Sequence, residues 1–185
     1  MSTLKTGALR GTSGSADSIQ LHATNQSVTF PGDVTCSGTA TGFGGGKINQ
    51  ILMYTDDANR DLSTGNSTWT QVPSMELAIT TTNNNSKVMI FHHGTHFQDT
   101  ADITAGATIY RDSTNLGPDE QGFQLLYGNN NDVAWQISIN YLDTPGNAGT
   151  YTYKIYYKSD RNDGHYNQWG GRKTMSTLIL WEVLP

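Results

Sequence analysis

Along the second half of the chain, apolar and polar residues alternate with a period of two. Trp135, Ile137, Ile139 and Tyr141 share one side, with Gln136, Ser138 and Asn140 on the other. Tyr151, Tyr153, Ile155 and Tyr157 stand opposite Thr152, Lys154 and Lys158. Successive side chains of a strand point to opposite faces, so each run predicts a half-buried antiparallel strand. Met75, Leu77 and Ile79 against Glu76 and Thr80 repeat the pattern, as do Ala107 and Ile109 against Thr108. Clusters of Asn, Asp, Gly and Pro separate the runs, as turns require. No segment carries helical apolar spacing over a useful length, and residues 56–66 offer one short turn at most. The pattern predicts an all-β protein whose residues 47–185 form an antiparallel β-sandwich head.

The last strand departs from simple alternation. Ile179, Trp181 and Val183 occupy one face, Leu178, Leu180 and Leu184 the other, and Glu182 is its only charge. Ile48 and Leu52 against Ile51 and Met53 show the same two-sided character. In a two-layer sandwich only one face of a strand meets the core. The second face then needs another chain. Ile51, Met53, Leu178, Leu180 and Leu184 are the expected subunit interface, and Leu180→Asp is expected to break the assembly by placing an unpaired charge there.

Residues 1–46 differ in composition. Ser, Thr, Gly and Ala dominate, with two strand-like pieces, 18–22 and 27–30, around a possible turn at Asn25 and Gln26. Pro31-Gly32-Asp33 is a further turn signal. So few apolar residues cannot bury a core alone. This stretch reads as an extended N-terminal β-stalk or arm, ordered by wrapping identical chains or docking on a partner. Residues 37–46 (SGTATGFGGG) read as a flexible joint with Phe43 its one large side chain.

Composition narrows the function classes. Charged residues make up 15% of the chain, against a norm of about 25%, and Thr, Ser, Asn and Gly fill the difference, which suits short strands and tight turns. The formal charge of −5 comes with no basic run, so no nucleic-acid partner is expected. Cys36 is the only cysteine, which excludes an intrachain disulfide, a zinc knuckle and a CxxC redox site. Residues 1–20 hold no apolar run, and no window approaches the ~18 apolar residues of a membrane span. The expectation is synthesis and assembly in a cytoplasm, with no membrane partner.

Motifs that would carry chemistry fail on inspection. The Gly-rich run before Lys47 has Thr41 and Ile48 where a phosphate loop needs Gly and Ser or Thr. Asp57, Asn59 and Asp61 open like a calcium loop, but Leu62 replaces its turn glycine and Thr68 its bidentate Glu. His92, His93 and His96 lie on one strand-like stretch, and His92 and His96 are about 13 Å apart along it, too far to share a metal. A three-fold axis could gather three copies of one histidine around a metal; histidines satisfied in the sandwich are the simpler reading. There is no GxSxG elbow, and Cys36 has no local base. No catalytic residue, cofactor or metal is expected, and a glycan-degrading enzyme is the least favoured function.

Two long interruptions remain, 112–132 and 159–173. The first contains a short strand-like piece from Phe123 to Tyr127. The second gathers Arg161, His165, Tyr166, Asn167, Gln168, Trp169 and Arg172. Aromatic rings supply contact area and amides directed hydrogen bonds, as glycan or protein recognition requires. Equally, Tyr166 and Trp169 could pin the loop onto the sandwich.

The opening MSTLK, LRGTSGSADSIQL and SVTFPGDVT before a Gly-rich joint resembles the N-terminal modules of marine and cyanobacterial phage fibre-like proteins. TYTYKIYYKSD, a loop and STLILWEV resemble the closing strands of phage fibre-tip jelly rolls, which in turn look like trimeric heads of the tumour-necrosis-factor and complement type. The resemblance covers both ends of the chain. It implies a jelly-roll-like head and a surface-exposed virion component. It also implies a homotrimer held through residues 1–46 to another virion protein of the tail or capsid. The head would then contact a host-surface glycan or protein. The alternative is a capsid decoration or cement protein that stabilises the shell.

Overall fold

The structure, a computed structural model, describes residues 8–9, 19–21, 28–29, 47–62, 68–98, 100–130, 133–160, 164–166, 168–169 and 172–185. The chain divides into two compact units, Met1–Gly45 and Gly46–Pro185. In the first, β1 (Ala8–Leu9), β2 (Ile19–Leu21) and β3 (Val28–Thr29) form an antiparallel sheet in that order. Leu9 pairs with Ile19, and Leu21 with Val28. The turns expected at residues 25–26 and 31–33, Cys36 and the Gly-rich joint lie outside the described residues.

The second unit continues with β4 (Ile48–Asp56), β5 (Arg60–Leu62), β6 (Thr70–Thr81), β7 (Lys87–Gln98), β8 (Ile103–Arg111) and β9 (Thr114–Asn115). It goes on with β10 (Gln124–Gly128), β11 (Val133–Asp143), β12 (Gly149–Ser159), β13 (Gly164–Tyr166), β14 (Gln168–Trp169), β15 (Arg172–Lys173) and β16 (Ser176–Val183). No helix occurs among the described residues. Antiparallel pairs nest around the middle of the chain: β8 with β10, β7 with β11, β6 with β12 and β4 with β16. They make one long ribbon, rolled up so that β16 also pairs with β7, and β12 with β8. The result is two facing sheets, β4-β16-β7-β11 and β6-β12-β8-β10, the jelly roll. Strands β5 and β13 lengthen the first sheet and β9 extends the edge of β8.

The period of two read from the sequence sets the core. Ile137 and Ile139 of β11 and Tyr153, Ile155 and Tyr157 of β12 are buried, with Ile79, Ala107, Ile109 and Ile90 against them. One local break has a covalent reason. Lys154 pairs with Glu76 and Tyr156 with Gln71, so residues 72–75 stand opposite Ile155 alone. Pro73 has no N–H for the ladder, and Ser74 takes φ 63°, which lets Val72 and Met75 both face inward. Within the interruption at 112–132, the described residues 112–130 are folded: they hold β9 and β10, joined by a strap across residues 116–123. Trp69 Nε1 donates to Asp119 O at 2.8 Å, and Lys158 donates to Glu120 O while lying 4.7 Å over the Trp69 ring. Gly122, at φ 67°, comes so close to Ala107 O that an added Cβ would stand 2.5 Å away.

The last strand corrects the expected interface. Leu178 and Leu180 are fully buried within one chain, where they pair with Tyr54 and Leu52 of β4 and His92 and Ile90 of β7. Leu184 is half-buried beyond the strand end. The face they occupy is the sandwich interior. The other face, Ile179, Trp181 and Val183, remains half-buried, and Ile51 and Met53 on the same side are 56% and 64% exposed. Leu180→Asp is therefore expected to unfold the head rather than dissociate subunits. Leu180→Ala is expected to cost roughly 2–5 kcal/mol, read as a lower denaturation midpoint; an unchanged midpoint would contradict the placement.

Candidate interaction surfaces

The head has two unlike ends. The chain enters the first sheet at Lys47 and leaves it beside that point, where Leu184 N donates to Lys47 O at 2.6 Å. The β6–β7 and β11–β12 connections, residues 82–86 and 144–148, close the same end. The ends of β7 at Gln98 and of β12 at Ser159, the starts of β8 at Ile103, β11 at Val133 and β13 at Gly164, and the β14–β15 hairpin belong to the opposite end.

The proximal end is locked by polar groups. Glu182 is fully buried on the inner side of β16. Its carboxylate accepts from Asn49 Nδ2 (2.7 Å), Gln50 Nε2 (2.8 Å), Thr82 N (2.6 Å), Thr82 Oγ1 (3.0 Å) and Ser86 Oγ (3.0 Å). Burial alone raises a carboxyl's pKa, but these donors outweigh it and lower Glu182 to about 2. The group thus ties the last strand to the first strand of the head and to the β6–β7 turn. Asp143 makes a second clasp, receiving Arg111 Nη1 at 2.8 Å on both oxygens and Tyr153 O–H at 2.7 Å, which joins the two sheets. Sequence reading flagged Glu182 only as the lone charge of its strand and missed the Arg111–Asp143 pair, because their partners come from strands far apart in the chain.

Toward the distal end the interior turns polar. His92 and His96 face inward and are fully buried, and His93 faces out. Thr177 O lies 2.9 Å from His92 Nδ1, so that nitrogen carries the proton and Nε2 accepts from Tyr166 O–H at 2.9 Å. The Tyr157 hydroxyl lies 2.7 Å from His96 Nε2 and accepts from Gln98 Nε2. Gly94 makes room for this: a Cβ there would stand 2.7 Å from both Tyr166 Oη and Ser176 Oγ. Among the described residues no group of three or more His, Cys, Asp or Glu side chains is placed to hold a metal.

The expected contact loop is therefore divided. Tyr166 is fully buried and pairs on β7 opposite His96, so it pins the segment and is not available to a receptor. His165 is half-buried on the outer side, its ring 5.9 Å from Phe97. Gln168 and Trp169 pair with Lys173 and Arg172 as the β14–β15 hairpin, which lies against β7. Arg161 and Asn167 lie outside the described residues. Beside the hairpin, His93, Thr95, Ala134, Gln136 and Met175 line an open recess of about 310 Å³. Thr95 and Gln136 are cross-strand partners, a pairing the sequence could not show.

The outer side of the first sheet is divided along the same axis. Ile51, Trp181, Met89 and Leu142 form one cross-strand row, and Met53, Ile179, Phe91 and Asn140 the next. Phe91 and Trp181 pack with ring centroids 4.9 Å apart. Beyond them the rows become polar: Thr55, Thr177, His93 and Ser138, then Thr95 and Gln136.

No family model matches the chain. No curated protein matches it either. Solved structures that align with it include those of the Gx and Gt strains of infectious bursal disease virus and a VP2 subviral particle of that virus. The identities are 14%, 13% and 14%, over 75%, 88% and 75% of this chain, with a TM-score of 0.33 in each case. The alignments span 38%, 46% and 38% of those chains, so this chain covers less than half of their length.

The buried histidines make stability depend on pH. Burial holds His92 at about 4, with the Thr177 carbonyl opposing the shift and His93 adding to it. Burial also holds His96 at about 3, with His165 acting through its charge in the same direction and through its backbone against it. Unfolding returns both to the ordinary 6.5, so the unfolded chain binds more protons below that value. Their contribution is complete above pH 6.5 and is lost as pH falls toward 4 and then 3. Glu182 adds a loss between 4.5 and about 2. The melting temperature should fall steadily below pH 6.5; a level profile down to about pH 4 would contradict the buried histidines.

Proposed function

We propose that this chain is a non-enzymatic structural component of a virus particle, a trimeric phage fibre or spike. Residues 1–46 attach it to another virion protein, and the far end of the head contacts a glycan or protein on the host surface. The observation that carries the reading is the polarity of the head. The attachment segment joins at Lys47, beside the two tight turns, while the β14–β15 hairpin, His165 and the recess gather at the opposite end. A protein that holds a particle by one end and presents binding groups at the other needs that division. The resemblance of both chain ends to phage fibre proteins supports the same reading. A capsid decoration protein, bound to the shell through residues 1–46, is the second reading.

Labelling the protein on intact particles tests this. Label at tail or vertex projections is the expected result, an even coat over the shell supports decoration, and no label on particles overturns the virion role. Trp169→Ala and Arg172→Ala are expected to weaken competition for host adsorption by about ten-fold each, if each contributes the roughly 1.4 kcal/mol of a moderate contact residue. Melting temperature should hardly change. A large loss of melting temperature with unchanged adsorption would make the hairpin a packing element instead.

A further inference from the structure

We propose that the apolar, proximal half of the outer face of the first sheet is the surface through which copies of this chain pack on one another. The inference rests on the fibre or spike reading above and assigns its interface to named residues. Ile51, Met53 and Leu142 are 56%, 64% and 44% exposed, Ile48 at the start of β4 is 45% exposed, and Ile179, Trp181, Met89 and Phe91 are half-buried between them. A soluble chain seldom leaves a contiguous apolar patch of more than a few hundred Å² uncovered unless something binds there.

Three observations point to a second copy as the occupant. The first is charge. The outward residues of β4, β16, β7 and β11 include no carboxylate, and Lys87 is their only lysine or arginine. In a chain of net charge −5, this is a surface that another copy can approach without like-charge repulsion. It offers nothing to a polyanion or a basic partner. The second is position. The apolar rows lie at the end where the chain enters through Lys47, and the rows near the hairpin are polar. Copies tethered side by side through residues 1–46 would meet at this end first and at high effective concentration. The third is shape. β4 is the edge strand, so Ile51 and Met53 stand on a rim, whereas Met89, Phe91 and Trp181 lie in the middle of the sheet. Rim against middle is a head-to-tail contact, the kind that closes into a three-membered ring when each contact turns the next copy by a third of a turn. It also covers the exposed edge of β4. The polar rows and the recess stay open for the distal function.

The test uses the full chain and the doubly substituted variant Ile51→Asp, Met53→Asp, measured by sedimentation and hydrogen exchange. Both positions are exposed in the single chain, so the variant should still fold cooperatively, with its melting temperature lowered only by the loss of subunit contacts. The expected result is a wild-type mass of three chains falling to one in the variant, with slower exchange at residues 49–53 of the edge strand β4 in the wild type than in the variant. A variant that keeps the wild-type mass overturns this interface and leaves the trimeric reading standing. A wild-type chain that is monomeric at high concentration overturns both. Should the variant fail to fold, Met53→Lys alone and Leu142→Lys alone serve as separate probes, each expected to raise the dissociation constant at least ten-fold.

Discussion

The seating of β16 between β4 and β7 is the interaction on which the rest of the head depends. It pairs the last strand with the first and so closes the rolled ribbon. Each side of the strand then has a different role. Leu178 and Leu180 fill the interior, and Glu182 continues that row as a buried charge that five hydrogen bonds make tolerable. Ile179 and Trp181 lie on the opposite side, at the centre of the apolar rows. A strand held this firmly on one side offers a rigid platform on the other.

The interior is graded along the same axis. At the proximal end a carboxylate gathers neutral donors, and at the distal end burial holds two histidines neutral, each within hydrogen-bonding distance of a tyrosine hydroxyl. Tyr166 links this interior to the segment outside it. Its hydroxyl reaches His92 through the space left by Gly94, so β13 is held against β7 and the hairpin that follows has a fixed anchor. Residues intended for binding need such support, because a contact residue on an unanchored loop must also overcome the entropy of ordering it.

These features fit a protein that assembles by one half of a sheet and leaves the other half for recognition. The two surfaces are made by the same four strands, yet their chemistry changes over about two cross-strand rows. On the proposed reading, assembly and binding would therefore use different side chains. An apolar surface beside Lys47 would, on the same reading, be covered early in assembly, which would limit its exposure to wrong partners.

Much of this was legible in the chain itself. Strict alternation over 135–141 and 151–157 determined strand type and which side faces inward, because a period of two permits no other regular element. The all-β sandwich and the strand near residues 123–127 followed from the same rule. The two-sided last strand was visible too, but not which side would be inside: Leu178 and Ile179 are equally apolar, and only the register against β4 and β7, together with the facing sheet, chose Leu178 for the core. Likewise Tyr166 looked as suitable for a receptor as Trp169 until pairing with β7 turned it inward. Glu182's donors, the Arg111–Asp143 clasp and the recess between β7 and β11 arise from residues tens of positions apart. Contacts of that kind are set by how the ribbon rolls, and local pattern carries no record of it.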